Sequence, residues 1–93
     1  MDPLSKAHHN ALEARKKMLD ARPKDTIPPL PDKIVPDHTH CLHYFESAAR
    51  HYLVAASAYS AGDVSTGHMY EVMAYQSMLL GQACEAQFGS GKE

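Results

Sequence analysis

No stretch of this 93-residue chain is apolar enough for long enough to cross a bilayer. The most apolar run, Val72 to Leu80, is broken by Gln76 and Ser77 and falls well short of the roughly 20 residues that a spanning helix needs. The N-terminus lacks the apolar segment of a secretory signal, so a cytoplasmic location is the default expectation. Branched aliphatic residues are few; alanine, methionine and tyrosine dominate a hydrophobic content of 44%. Alanine and methionine lose little side-chain freedom in a helix, so this mixture favours an all-α fold.

The usual signatures of catalysis are missing too. No glycine-flanked serine forms a nucleophile elbow, no glycine-rich loop could cradle a phosphate, and no carboxylate pair stands out as acid and base. An enzyme is therefore not expected. Basic residues are scarce where helices are expected after residue 38: Arg50 is the one cation of the second helix, and the third has neither lysine nor arginine. Without phosphate contacts, nucleic-acid binding by that part of the chain is excluded. With only two cysteines, Cys41 and Cys84, the redox compartment stays open.

What is present reads as helices on either side of a proline-rich linker. Asp2-Pro3 suits a helix start, and Leu4, Ala7, Ala11, Ala14 and Met18 recur at three- and four-residue steps, predicting a basic N-terminal helix over residues 1–21. Its apolar stripe is thin, so it needs docking to be stable. Residues 1–24 carry six basic and three acidic groups, a net +3; the remainder carries three basic and eight acidic groups, a net −5. Pro23, Pro28, Pro29, Pro31 and Pro36 exclude helix and central strand over 22–37, which reads as an extended linker.

A second helix is expected to begin near Asp37 or Thr39 and to end at Ala61-Gly62. Its stripe is Leu42, Phe45, Ala49, Tyr52, Ala56 and Tyr59. Gly62 suits a left-handed helix end and Asp63 the cap of the next helix, expected to run to Phe88 ahead of a flexible 89–93 tail. So short a link predicts an antiparallel hairpin over 38–88. The third helix is apolar on most of its circumference, and Met69, Val72, Met73, Leu79 and Leu80 form a face that one neighbour cannot cover. Either the N-terminal helix covers it, giving a three-helix bundle, or a second copy does, giving a dimeric four-helix bundle. A protein partner or homo-oligomer is the leading functional expectation.

The run from His43 to His51 (HYFESAARH), with Ala55-Ala56, Gly62-Asp63, Gly67-His68 and Ala74, resembles small histidine- and alanine-rich bacterial proteins of unknown function. The likeness covers Leu42 to Ala86, about half the chain. It implies a helical hairpin and supplies no activity. Tyr44, Tyr52 and Tyr70 stand where the pattern would have more histidine.

Chemistry-bearing side chains gather at His38, His40, Cys41 and His43. A reversal at Gly62-Asp63 sets residues whose numbers total about 125 level with one another, as Cys41 and Cys84 do. The simplest reading leaves both cysteines reduced as small hydrophobes, with the histidines solvated. In a second, they form a disulfide that staples the hairpin. In a third, Cys41 and Cys84 join two of His38, His40 and His43 in holding zinc or copper. A repeated pattern, His43 to Glu46 and His68 to Glu71, has the spacing of di-metal helices. The hairpin separates the two pairs by about 21 Å, so it reads as coincidence.

Overall fold

The computed structural model describes residues 3–24 and 41–90, with side chains through residue 86. Three helices make up the fold: α1 (Pro3–Ala21), α2 (Cys41–Ser60) and α3 (Val64–Ser90). The expected linker prolines from Pro28 to Pro36, the Asp37 and Thr39 caps, and the last residues of the expected tail lie outside the described residues. Gly89 and Ser90, expected in that tail, continue α3.

The reversal between α2 and α3 is built from local hydrogen bonds. Gly62 has a φ of 84°, a left-handed value that glycine alone adopts without cost. Its N–H donates to the Tyr59 carbonyl at 3.0 Å, and the Asp63 N–H donates to the Ala58 carbonyl at 2.9 Å. This paired pattern satisfies the last carbonyls of α2. Asp63 then caps α3, its carboxylate accepting from the Thr66 N–H at 3.2 Å. The Thr66 side chain, and then this backbone bond, hold the Asp63 carboxyl below its ordinary pKa.

Along the hairpin, rings sit on glycines. Tyr59 lies across Gly67, and a Cβ at Gly81 would come within 2.8 Å of the Phe45 ring. The absent side chains let α2 and α3 approach until two large aromatics are buried between them. These pairs total 126 in residue number, one residue from the level expected of the turn.

Helix α1 buries Ala7, Ala11, Ala14 and Met18, with Leu4 half-buried against the core. It packs on α2 and barely touches α3. Its direction follows from its ends. His8 stacks on Phe45 near the start of α2, with ring centroids 4.4 Å apart and planes 9° from parallel. At the other end, Arg22 reaches Glu71, the residue that Tyr59 also bonds. Helix α1 therefore runs parallel to α2 and antiparallel to α3. Parallel neighbours need a connection that returns a whole helix length, about 30 Å, which the sixteen residues between Lys24 and Cys41 can span.

The buried face of α2 is rotated from the expected stripe. Phe45, Tyr52 and Tyr59 are buried as expected, but the alanines beside them are Ala48 and Ala55. Ala49 and Ala56 are only half-buried, and Leu42 is exposed. The cause is that α2 is the central helix: its buried arc must face two neighbours, which leaves Leu42 on the same outer edge of the helix as Ala49 and Ala56.

Candidate interaction face and the cysteine end

The turn end of the bundle is tied by Glu71. The Tyr59 hydroxyl donates to the Glu71 carboxylate at 2.6 Å, and Arg22 Nε lies 3.3 Å from the same oxygen. One carboxylate thus joins all three helices. Burial, then the bond and charge of Glu71, push the Tyr59 phenol well above its ordinary pKa. Tyr52, two turns deeper, is raised to about 12, chiefly by burial, with Arg15 pulling the other way. Its hydroxyl and Nε2 of His68 are buried without a hydrogen bond to another protein group.

At the open end, His8 of α1 lies 2.9 Å through Nδ1 from the Glu85 carboxylate. Gln82 Nε2 sits 3.4 Å from the other ring nitrogen. A neutral ring with its proton on Nδ1 satisfies both, donating to Glu85 and accepting from the Gln82 amide. Cys41 and Cys84 lie beside this group. Their Cα atoms are 5.4 Å apart and their sulfurs are joined, so neither is the free thiol that the simplest reading assumes.

As bonded, the sulfurs cannot act as thiolate ligands. His38 and His40 lie outside the described residues, and His43 is exposed on α2. Among the described residues no three histidine, cysteine or carboxylate groups converge as a metal site requires. Of the five residues expected for zinc or copper, the three that are described, Cys41, His43 and Cys84, form no such group. The repeated histidine–glutamate pattern is separated as expected, and Glu71 is engaged by Tyr59 and Arg22 instead.

The predicted interaction face points outward. Met69 is 53% and Met73 38% exposed, while Val72, Leu79 and Leu80 are partly exposed beside them. Helix α1 does not cover this face, because it lies against α2. No charged residue occurs between Glu71 and Glu85, and both of those glutamates are engaged by α1.

Two features escape a periodicity reading. Leu12 and Leu19 of α1 are 43% and 44% exposed; they share a helical stripe with His8, Arg15 and Arg22, whose ends meet α3. A cleft of about 520 Å³ also opens between the first halves of α1 and α2, floored by Ala7 and Ala49. Lys6, Glu46 and Arg50 rim it with both signs of charge, which selects no ligand class. No described helix is long and apolar enough to cross a membrane. Comparison with known proteins finds no matching family, no matching curated protein and no matching solved structure.

Proposed function

We propose that this protein is a non-enzymatic interaction module that docks a protein partner through the outward face of α3. The observation that carries the reading is the exposure of Met69 and Met73 on a helix whose charges all lie elsewhere. Methionine is soft and unbranched, and adapts to a partner surface better than a branched side chain. Contiguous exposed apolar residues on a small protein are a frequent mark of an interface. The bonded cysteines favour action in an oxidising compartment over the cytoplasmic default, because reducing cytosol seldom keeps such a bond.

Photocrosslinking tests it. A photoreactive methionine analogue at position 73 is expected to give a discrete adduct in the producing cell. A probe at Lys17, exposed on another side of α1, should not give that adduct, and Met69→Asp should suppress it. Identical labelling from both positions would refute the reading.

A further inference from the structure

We propose that Met69 and Met73 together bind copper(I), holding the ion between their two thioether sulfurs. Docking a protein and holding an ion are separate uses of these side chains, and neither requires the other. Methionine at helical spacing is ordinarily core, and the other two methionines of the described residues obey that rule: Met18 is 1% and Met78 3% exposed. Met69 and Met73 break it, at 53% and 38%. Both side chains are therefore open to an incoming ion without any opening of the bundle.

Spacing brings the two donors to one ion. Residues four apart on a helix share a face, with Cβ atoms about 5–6 Å apart. A metal–sulfur bond is about 2.3 Å, so two sulfurs on opposite sides of an ion stand about 4.6 Å apart. Three rotatable bonds in each side chain let the sulfurs close that small difference. Copper(I) accepts two donors in a line, so this pair completes a site without a third residue. Zinc, which takes a tetrahedral ligand set, finds no such set here.

The surroundings select softness and charge as well. Thioether sulfur is neutral and soft, the donor type that copper(I) prefers. Glu71 lies between the two methionines in sequence, but two residues turn a helix by about 200°. Its carboxylate is on the far side, where Tyr59 and Arg22 engage it. No other charged residue occurs on α3 before Glu85. A hard divalent cation thus meets no anionic oxygen at this pair. Thiolate would take copper(I) in preference to thioether, but Cys41 and Cys84 are joined to each other. With no free cysteine, thioether is the soft sulfur donor that remains.

Silver(I), which shares the preference for soft donors and is redox-inert, serves as the probe. It is titrated in chloride-free buffer into the full chain, with the disulfide intact and the methionine methyl groups isotope-labelled for NMR. At about pH 5 an imidazole of ordinary pKa is protonated and competes poorly, whereas a thioether carries no proton to displace. The Met69 and Met73 methyl signals should shift together and saturate at one equivalent, while those of Met18 and Met78 stay in place. Zinc at the same concentration should move neither of the first two. Met69→Leu should weaken the response of Met73 at least tenfold, and Met73→Leu that of Met69. Both positions are exposed, so leucine leaves the fold intact, which the Met18 and Met78 signals check in the same spectrum. Methyl signals of Met69 and Met73 that do not move at one equivalent would overturn the proposal. So would a Met73 response of undiminished affinity in Met69→Leu. The crosslinked adduct forms without added metal, so neither result touches the docking reading.

Discussion

The two sides of α2 are held by different means. Towards α3 the chain is closed twice, by the Gly62-Asp63 turn at one end and by the Cys41–Cys84 bond at the other. Between those closures, rings rest on glycine backbone. Towards α1 the contact is a row of alanines with one methionine, reinforced at its ends by His8 and Arg22 reaching across to α3. Alanine permits close approach but buries little area per residue, and stabilisation follows area. The hairpin should therefore be the stable unit, and α1 the first helix to leave it.

Opening the cysteine closure should have the largest effect. Replacing both partners, Cys41→Ala with Cys84→Ala, frees a loop set by a sequence separation of 43 residues. The chain-entropy model puts the loss at roughly 4 kcal/mol, a large share of the stability of so small a domain. Urea unfolding of the two proteins side by side measures it. A difference below about 1 kcal/mol would mean that the hairpin does not rely on that closure.

The alanine side is broken selectively at Met18, its one large buried residue, which is 1% exposed. Met18→Ala should cost about 3 kcal/mol, within the usual range for truncating a buried methionine. Hydrogen exchange distinguishes the two sides. Protection in α1 should collapse while α2 and α3 keep most of theirs. Equal loss in all three helices would show that the bundle opens as one unit and that the contrast between its sides is false.

Much of this contrast can be read from residues. Gly62 followed by Asp63 forces a reversal because few other pairs end one helix and cap the next within two positions. Register then follows by counting, which is why Cys41 and Cys84 can be placed level without coordinates. The α1 stripe is equally plain, since Ala7, Ala11, Ala14 and Met18 are the apolar positions on one side of that helix. What could not be read is which neighbour each face meets. Periodicity gives the direction of a face along its own helix and says nothing of the helix opposite. An α3 apolar on most sides therefore left open whether α1 would cover Met69 and Met73 or leave them bare. The choice of Ala48 and Ala55 over Ala49 and Ala56 depends on α2 meeting two partners. Gly67 and Gly81 carry no signal of their own either, because a socket exists only once the ring that fills it is placed.

The socket side can be probed with a smaller change. Gly81→Ala adds a Cβ that would lie 2.8 Å from Phe45, so the ring, which also carries the His8 stack, must shift. Overpacking of this kind costs roughly 1–3 kcal/mol, and alanine returns about 1 kcal/mol in helix propensity. The net loss should be near 1 kcal/mol. An increase in the thermal midpoint would show that the helices are not in such close contact there.

Changing pH perturbs the bundle least, and acid and alkali act through different groups. Tyr52 and Tyr59 have phenols raised above the ordinary value of 10, Tyr52 to about 12. A raised phenol stays protonated in the fold, so its contribution is complete below pH 10 and is lost as pH climbs from there towards the folded value. Alkaline unfolding should begin near pH 10, and Tyr52→Phe should reduce the slope. His51, stacked at an angle near Tyr70 on the α3 side, has its pKa lowered by burial and then by Arg50. A lowered histidine binds fewer protons folded than unfolded. Its contribution is therefore complete above 6.5 and is lost as pH falls below that towards the folded value. Acid should thus weaken the α2–α3 side slightly, and His51→Gln should remove that part of the slope. If His51→Gln lost stability relative to the parent on going from pH 7 to 5, the sign assigned to His51 would be contradicted.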